Sequence, residues 1–313
     1  MEFSSGSSWL RIDTPAKLNL FLEILGKRAD GFHEIETLMT AISIYDSLFV
    51  TGNPDGRIRL RCEWACGLEA RHRVANDSTF GDLPPESENI VYRAANRLQS
   101  RAGVRAGATI YLVKRIPSAA GLGGASSDAA ATLVALNQIW RLGWPAYRLA
   151  AIAAEIGSDI PFFLGGNTSA AHVAMCRGRG EKIELEPGIA RLHFVVVKPP
   201  VGLSTAAVYR SCIPPASVVE AAAIRAALHR GDVAGTGKAL FNRLQETAET
   251  LCPWIGRLRR CFEQANVLGH QLSGSGTSYY GICRHARHAR QVAAKLRGAG
   301  VGEVFYATTS RAL

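Results

Sequence analysis

Apolar and polar residues alternate along the first part of the chain, and this pattern predicts β-strands. Every second position of residues 18–24 is apolar, which is the period of a strand with one buried face. Pro15 lies before this run, so we expect two strands that flank the proline. Residues 36–51 and 57–62 show further strand-like patterns. A polar stretch with glycine and proline, residues 63–88, follows them and is interpreted as an insertion.

A repeat of apolar residues every three to four positions predicts helices between the strands. Residues 89–101 show this repeat and stop before Gly103, and residues 146–156 predict a second such helix. Residues 108–114 instead have the pattern of a strand. The helical repeat returns at residues 129–140, where it predicts an amphipathic helix with one face on the protein core.

Strand and helix patterns are also mixed in the second half of the chain. A helix pattern covers residues 286–297, and strand-like segments lie at residues 168–176, 182–185, 192–197, 268–273, 278–283 and 303–307. This order predicts the α+β class. At 313 residues the chain is long enough for two domains, which we place at residues 1–168 and 169–313.

The composition indicates a globular protein that binds anions. Hydrophobic residues make up 47% of the chain, and 36 Lys and Arg against 26 Asp and Glu leave a net charge of +10. A positive charge favours nucleotides, nucleic acid or a membrane surface, and does not choose among them. The basic residues are scattered and no aromatic RNA-binding signature accompanies them, so we expect no nucleic-acid partner.

Cysteine usage and the N-terminal residues predict a cytoplasmic protein. The 7 cysteines are dispersed and their number is odd, which favours reduced thiols over a disulfide framework. Residues 1–8 have neither the basic start nor the apolar core of a signal peptide. No apolar run is long enough to span a bilayer, so we expect no membrane partner.

The segment with the clearest chemical signal is PSAAGLGGASSD, residues 117–128. Its glycines allow tight turns and close approach to a ligand, and Ser126 and Ser127 are expected to start the helix that follows. The free N–H groups of a helix N-terminus bind phosphate. The segment lacks the lysine of a Walker A loop and the third glycine of a dinucleotide fingerprint, so an ordinary loop with a helix cap stays an alternative.

Four segments together resemble the GHMP kinases, a superfamily of small-molecule kinases. PSAAGLGGASSDAA, residues 117–130, resembles the second motif of that superfamily, and LSGSGTS, residues 272–278, resembles the third. PAKLNLFLEILGKRADGFHEIETLM, residues 15–39, is similar to the first motif in the branch that acts on a cytidine diphosphate conjugate. SDIPFFLGG, residues 158–166, resembles the catalytic loop of the same branch. The resemblance implies a two-domain fold, with a ribosomal-protein-S5-like domain followed by a ferredoxin-like α/β sandwich.

The resemblance also implies a catalytic pair. Asp159 is expected to accept the proton of the acceptor hydroxyl, while Lys17 keeps Asp159 ionised and stabilises charge on the transferring phosphoryl group. Asn19 lies two residues from Lys17, on the same strand face, and is expected to bind hydroxyls of the substrate. Taken singly, each of these residues also fits an ordinary solvated or strand-edge polar side chain.

Phe32 and His33 occupy the positions where this branch of the superfamily holds cytosine. The ring of Phe32 is expected to stack on the base, and the imidazole of His33 to hydrogen-bond the edge of the base. The family usually has tyrosine where Phe32 stands, so the stacking face is kept and one hydroxyl is absent. A turn histidine is the alternative for His33. Gly274, Ser275 and Gly276 are expected to close over the diphosphate of the substrate, with a plain hairpin turn as the alternative.

The remaining implied contacts are with the nucleotide. Asn89 and Val91 resemble the segment that contacts adenine, although Asn89 also fits an ordinary helix cap. Lys114 precedes the glycine loop and faces either phosphate or water. Ala125 stands where the family often has glycine, and it is tolerated if its φ angle is negative. The whole loop is expected to bind the triphosphate of ATP: Pro117, Ser118, Ala119, Ala120, Gly121, Leu122, Gly123, Gly124, Ala125, Ser126 and Ser127.

The function implied by the resemblance is transfer of a phosphoryl group from ATP, with Mg²⁺, to the 2-hydroxyl of 4-diphosphocytidyl-2-C-methyl-D-erythritol. This reaction is a step of the non-mevalonate isoprenoid pathway. Neither a Mg²⁺ ligand nor an oligomeric state is implied. Three alternatives stay open, namely a kinase for another small alcohol, a basic nucleic-acid-binding protein, and a nucleotide-dependent binding module without catalysis. The presence of both Lys17 and Asp159 argues against the nucleic-acid-binding protein.

Overall fold

Two β-sheets with helices packed against them form the part of the chain that the computed structural model describes, residues 9–68, 80–165, 172–311 and 313. The strands are β1 Leu10–Lys27, β2 His33–Asn53, β3 Ile58–Trp64, β4 Gly107–Lys114, β5 Val173–Gly178, β6 Lys182–Leu185, β7 His193–Lys198, β8 Phe241–Asn242, β9 Gly269–Leu272, β10 Tyr279–Cys283 and β11 Glu303–Thr308. The α-helices are α1 Ile90–Ala102, α2 Gly124–Ile139, α3 Ala146–Ile156, α4 Ile160–Phe163, α5 Thr205–Ser211, α6 Ala222–His229, α7 Val233–Lys238, α8 Gln245–Leu251, α9 Pro253–Glu263 and α10 Ala286–Gly298. This mixture confirms the predicted α+β class.

The larger sheet contains seven strands, and its two longest strands, β1 and β2, form its centre. Its order is β3-β4-β2-β1-β8, with β5 also paired to β2 and β6 paired to β5. β1 and β2 are antiparallel over almost their whole length, from Leu10 opposite Val50 to Lys27 opposite His33. Residues 14–24 of β1 are all buried, because helices cover one face of the sheet and the second half of the chain covers the other.

Pro15 does not divide this region into two strands, so that prediction is wrong. β1 continues through Pro15, which lies opposite Tyr45, and the register shifts between Pro15 and Ala16 as in a β-bulge. A bulge accommodates a residue that has no N–H group to donate, and the strand therefore continues.

The helix α1 follows the sequence pattern closely. The side chain of Asn89 accepts a hydrogen bond of 2.9 Å from the Val91 N–H group and caps the helix at its start. Gly103 ends the helix with φ of 64°, in the left-handed region that glycine adopts without strain. Sequence and structure agree here because both ends of the helix carry residues with a strong local preference.

The helix α2 differs from its prediction in two ways. It begins at Gly124 with Gly123 as its N-cap, two residues before the predicted start at Ser126. Most of its residues are buried, so it is a central helix rather than an amphipathic one, because β1, β2 and the helices α1, α3 and α4 all pack around it. Trp140 lies at the C-cap, just beyond the helix.

The smaller sheet has four antiparallel strands in the order β11-β7-β10-β9. The helices α9 and α10 bury apolar side chains against it, including Leu258, Phe262, Val292 and Leu296. The predicted strands and the predicted helix of residues 286–297 are confirmed within a few residues.

The two halves of the chain meet along β1. The short strand β8, which comes from the second half, pairs in parallel with Phe21 and Leu22. On the same strand, the side chains of Gln271 and Tyr280 each donate a hydrogen bond of 2.8 Å to the carbonyl oxygen of Asn19. Both halves of the chain therefore hold β1 in place next to the predicted site residues Lys17 and Asn19.

The predicted domain boundary falls in residues 166–171, outside the described residues, and stays a prediction. Residues 69–79 of the predicted insertion, residues 1–8, and Gly166 of the SDIPFFLGG segment also lie outside the described residues. The strands β5 and β6, which follow the boundary, belong to the larger sheet. In the described part of the chain, no helix has the length and the apolar character that a membrane span requires.

Candidate active site

A cleft of about 980 Å³ lies between the two halves of the chain. It brings together residues from all four motif segments, which are far apart in sequence. The predicted residues that line it are Lys17, Asn19, Phe32, His33, Gly121, Gly123, Ser126, Asp159, Gly274 and Ser275. The structure thus places the predicted catalytic, base-binding and loop residues around one cavity.

Lys17 and Asp159 face each other in this cleft. The Lys17 Nζ atom lies 3.6 Å from the Asp159 Oδ2 atom, and the two side chains are 5% and 36% exposed. Lys17 comes from the buried middle of β1, whereas Asp159 stands at the N-terminus of the short helix α4. A rigid strand therefore holds the ammonium group, and the carboxylate keeps one side open to a ligand.

Asn19 orients Lys17 rather than lying free beside it. The Lys17 ammonium donates a hydrogen bond of 2.7 Å to the Asn19 Oδ1 atom. The Asn19 amide in turn donates to the Thr37 hydroxyl at 2.8 Å, and that hydroxyl donates to the Phe21 carbonyl at 2.6 Å. This chain of bonds fixes which end of the Asn19 amide faces the lysine. The predicted contact of Asn19 with substrate hydroxyls stays a prediction.

The glycine loop is bound to β1 and to the turn after β9. Gly121 and Gly123 have φ angles of 73° and 67°, which residues with a Cβ atom adopt only with strain. A Cβ atom on Gly123 would lie 2.8 Å from Cγ of Lys17. The Lys17 N–H group donates to the Leu122 carbonyl at 2.8 Å, and the Ser273 hydroxyl donates to the Gly121 carbonyl at 2.9 Å. The glycine loop, the strand β1 that carries Lys17, and the third motif are therefore joined by hydrogen bonds into one unit.

The loop residues differ in how they are placed. Gly121, Gly123 and Ser126 line the cleft. Ala125 lies in the first turn of α2 and has no positive φ angle, so alanine is accommodated there. The Ser127 hydroxyl is buried and has no hydrogen-bond partner among the described residues. Those that do not line the cleft are Pro117, Ser118, Ala119, Ala120, Leu122, Gly124, Ala125 and Ser127.

Lys114 is placed differently from both of its predicted alternatives. Its ammonium group faces neither phosphate in the cleft nor water, because it is buried in ion pairs with Asp46 and Asp128, the latter at 2.6 Å. Thr14 donates a hydrogen bond of 2.6 Å to the second oxygen of Asp128. Burial, with Asp46 as a second negative charge nearby, raises the pKa of Asp128 to about 7 despite the attraction of Lys114. This buried cluster lies directly beneath the start of α2, where a Cβ atom on Gly124 would be 3.3 Å from the ammonium nitrogen.

Asn89 and Val91 lie outside the cleft lining. Both are buried, and the Asn89 side chain is used as the cap of α1. The helix-cap alternative for Asn89 is therefore confirmed, and its contact with adenine stays a prediction.

Phe32 and His33, the predicted base-binding residues, lie at one end of the cleft, at the turn between β1 and β2. Phe32 is 54% exposed, which is high for an aromatic side chain. The Arg179 guanidinium lies 5.0 Å from the centre of its ring, and the ring of Tyr209 lies 5.5 Å from that of His33. Burial and the positive charge of Lys27 lower the pKa of His33. The imidazole is therefore neutral near pH 7 and presents one donor and one acceptor.

The turn of Gly274, Ser275 and Gly276 joins β9 to β10 and reaches the predicted catalytic pair. A Cβ atom on Gly274 would lie 3.4 Å from the Lys17 ammonium nitrogen. The Ser275 hydroxyl is 2.8 Å from that of Thr205 at the start of α5. The turn is a hairpin, as in the alternative, and Gly274 and Ser275 also line the cleft.

Comparisons with known proteins agree with this arrangement. The family model of the GHMP kinases N terminal domain matches residues 89–167, and that of the GHMP kinases C terminal domain matches residues 224–302. A protein of Pelotomaculum thermopropionicum named 4-diphosphocytidyl-2-C-methyl-D-erythritol kinase is 42% identical over 284 residues, which cover 90% of this chain and 92% of that protein. The chain belongs to the GHMP kinases.

Further relatives of this GHMP kinase carry the same name or the same fold. A protein of Shouchella clausii, also named 4-diphosphocytidyl-2-C-methyl-D-erythritol kinase, is 37% identical over 92% of this chain and 90% of its own length. The crystal structure of a 4-(cytidine 5'-diphospho)-2C-methyl-D-erythritol kinase matches with a TM-score of 0.75 and 32% identity, covering 96% of this chain and 98% of that one. A homoserine kinase of Cytophaga hutchinsonii matches with a TM-score of 0.68 and 18% identity over 99% and 97% of the two chains, and shares the fold.

Sequence reasoning did not find every residue of the cleft in this GHMP kinase. Arg179, Thr205 and Tyr209 line it and were not predicted. The negative charge of Asp159 adds to burial in raising the pKa of Tyr209, so its hydroxyl stays protonated. Thr37 also lines the cleft, and its position inside the first motif was a usable signal. For Arg179, the usable signal in the sequence was the pair of flanking glycines, Gly178 and Gly180.

Proposed function

We propose that this chain transfers the γ-phosphoryl group of ATP to the 2-hydroxyl of 4-diphosphocytidyl-2-C-methyl-D-erythritol, giving the 2-phosphate and ADP. The observation that carries the proposal is the Lys17 and Asp159 pair, 3.6 Å apart, in a cleft that also holds Phe32, His33 and the glycine loop. The 42% identity to a protein of that name supports the choice of substrate.

Asp159 is the group that accepts the proton of the acceptor hydroxyl. Its carboxylate is partly exposed to the cleft and lies 3.6 Å from the Lys17 ammonium. Phosphoryl transfer requires mainly positioning and charge stabilisation, so an aligned base and one cation suffice for a direct transfer without a covalent enzyme intermediate. Lys17 stabilises the charge that spreads over the transferring phosphoryl group.

The acceptor is selected at the other end of the cleft. The exposed ring of Phe32 provides a stacking surface for cytosine, and the neutral imidazole of His33 provides a donor and an acceptor for the edge of the base. Asn19 lies next to Lys17, and we assign it a contact with the hydroxyls of the methylerythritol group. Gly274 and Ser275 line the cleft beside the Lys17 ammonium, and we assign them a contact with the diphosphate of the substrate.

The donor nucleotide is bound at the start of α2. This helix has 16 residues, so its N-terminus carries free N–H groups and the positive end of a full helix dipole. Gly121, Gly123 and Ser126 face the cleft at that terminus. We assign the triphosphate to this loop and the adenine to the segment that begins with Asn89 and Val91. Lys114 stabilises the start of α2 through its ion pairs with Asp46 and Asp128, and we assign it no direct contact with phosphate.

Mg²⁺ accompanies ATP in this proposal. Among the described residues, no group of three or more His, Cys, Asp or Glu side chains has the spacing of a metal site. Proteins hold Mg²⁺ through one or two oxygen ligands together with substrate phosphates. The cleft offers the Ser126 hydroxyl for this purpose, beside the phosphates of ATP. When bound, the ion neutralises charge on the phosphates of ATP.

We place the reaction in the cytoplasm, with no nucleic acid or membrane as a partner. The structure contains Cys62, Cys66, Cys176, Cys212, Cys252, Cys261 and Cys283 as free thiols. Free thiols throughout a chain are typical of a reducing compartment.

The test is an assay of ADP release by the purified protein with ATP, Mg²⁺ and the cytidyl substrate. We expect ADP release that depends on the substrate and that cytidine 5'-diphosphate inhibits competitively. Inhibition by cytidine 5'-diphosphate separates this function from that of a kinase for another small alcohol. A protein that releases no ADP with this substrate would contradict the proposal.

A further inference from the structure

The charged side chains of the cleft are not balanced. Among the described residues that line it, Lys17, Lys27, Arg179 and Arg210 carry positive charge, and Asp159 carries negative charge. Lys17 is engaged with Asn19 and Asp159. Among the described residues, Lys27, Arg179 and Arg210 form no ion pair with a carboxylate, although Asp30 lies near enough for an electrostatic interaction with Arg179. A ligand with negative charge is therefore a suitable partner for these cations.

Arg179 is the cation among them whose position is fixed. Its guanidinium donates one hydrogen bond of 3.2 Å to the Ala154 carbonyl and lies 5.0 Å from the centre of the Phe32 ring. No carboxylate of the described residues forms an ion pair with it, whereas the neighbouring Arg177 forms ion pairs of 2.7 Å with both Glu36 and Glu184. The other N–H groups of Arg179 are therefore available to a ligand.

The turn that carries Arg179 is built for this position. Gly178 and Gly180 flank the arginine with φ angles of 80° and 117°, and the Arg179 N–H group donates to the Glu181 carboxylate at 2.6 Å. A Cβ atom on Gly180 would lie 3.7 Å from the Asp159 Oδ1 atom. The turn thus runs beside the Asp159 carboxylate, and its Arg179 guanidinium lies next to the ring of Phe32.

We propose that Arg179 binds the diphosphate of the cytidyl substrate; this inference rests on the proposed function. In that substrate the diphosphate joins the cytidine to the alcohol that is phosphorylated. A molecule that stacks its base on Phe32 and presents its hydroxyl to Asp159 must pass its diphosphate along the wall between them. A guanidinium matches phosphate oxygens in a bidentate geometry, which a lysine does not. Arg179 is accordingly a substrate-binding residue that the four motifs do not contain.

The test compares three ligands on one variant. Arg179→Met should weaken the binding of cytidine 5'-diphosphate about tenfold or more, because a charge-assisted hydrogen bond is lost. Binding of cytidine, which has no phosphate, should change less than about twofold, and so should binding of ATP. Arg179→Lys keeps the positive charge but lacks the forked N–H groups of a guanidinium, so it should recover only part of the lost affinity. Calorimetric titration measures all three affinities, and the KM of the cytidyl substrate should rise in parallel.

The matched control is Arg148→Met, which removes a guanidinium that lies 3.5 Å from the ring centre of Trp144, outside the cleft. This control should bind all three ligands as the wild type does. The inference is overturned if Arg179→Met binds cytidine 5'-diphosphate normally, or if it loses cytidine and cytidine 5'-diphosphate equally while ATP binding is kept. Failure of the proposed function looks different, because the wild type itself would then release no ADP with the cytidyl substrate.

Discussion

Lys17 and Lys114 are two lysines beside one glycine loop, and they have opposite surroundings. Lys17 contacts an amide and one partly exposed carboxylate, at 2.7 Å and 3.6 Å, and it faces the cleft. Lys114 is buried between the carboxylates of Asp46 and Asp128. A cation with a single, accessible partner can act on a ligand, whereas a cation that two buried carboxylates surround holds the protein together. The function of a lysine next to a phosphate loop therefore follows from its interaction partners, and not from its distance along the chain.

The largest effect is expected for the pair formed by Lys17 and Asp159. Asp159→Asn removes the proton acceptor, so kcat should fall by about 10²–10⁴-fold, the usual contribution of a general base. The carboxylate is partly exposed, so the thermal midpoint should change little. Steady-state ADP release and thermal denaturation measure the two quantities. A variant that keeps its kcat would show that Asp159 does not take the proton.

The next effect is expected at the Lys114 site, and it concerns stability. Lys114→Met leaves two buried carboxylates without their cation, which should lower the free energy of unfolding by about 3–5 kcal/mol. Urea denaturation measures the loss, and Lys182→Met, at an exposed lysine of β6, is the control that should lose little. An unchanged urea midpoint together with a raised KM for ATP would mean that Lys114 does face the nucleotide.

A third experiment tests whether the glycine loop determines the position of the Lys17 side chain. Gly123→Ala places a methyl group 2.8 Å from Cγ of Lys17 on a backbone with φ of 67°. Gly143→Ala is its match, because it has φ of 62° and open space around the added atom. Both variants should lose about 1–2 kcal/mol of stability through backbone strain. Only Gly123→Ala should also lower kcat, by about tenfold or more, because it displaces the ammonium group. Equal kcat values in the two variants would show that Lys17 tolerates the displacement.

The last effect is a pH dependence confined to the Lys114 site, and it is graded rather than abrupt. Because the pKa of Asp128 is about 7 in the folded chain and lies near 4 in an unfolded one, the folded state keeps an extra proton between those values. The stability from this proton is present below about pH 4 and is lost as the pH rises to about 7, by at most about 1.4 kcal/mol per pH unit. The advantage of the wild type over Asp128→Asn should therefore shrink between pH 5 and pH 7.5. Urea denaturation at several pH values checks this, and a constant difference would contradict it.

The motifs allowed the sequence to predict the residues around the cleft, because each motif carries its chemistry in a short segment. Gly121, Gly123, Ser126 and Gly274 face the ligand space as their segments implied. Fold class and most element bounds followed from periodicity, as in α3, whose bounds of Ala146–Ile156 were predicted directly. Local preference and tertiary structure agree in these segments.

The residues that sequence reasoning misplaced depend on partners that are distant in the chain. Lys114 lies on the buried face of β4, in phase with Ile110 and Leu112, and this alternation was the available signal. Its partner Asp46 is 68 residues away, so the ion pair itself was not predictable from one segment. Arg179, which was missed, comes beside Phe32 only because β5 and β6 bring their turn there. Contacts across the sheet, unlike motifs, leave no pattern in a single sequence.

The pairing of β8 with β1 has a consequence for any attempt to separate the halves. The first half expressed alone would lose the strand that covers Phe21 and Leu22, and the side chains of Gln271 and Tyr280 would no longer reach Asn19. It would then present an open sheet edge beside an uncovered apolar face, a combination that promotes aggregation. The halves are therefore not interchangeable modules. A change of the alcohol substrate that the protein accepts is more readily obtained by altering the turns around the cleft than by exchanging one half for another.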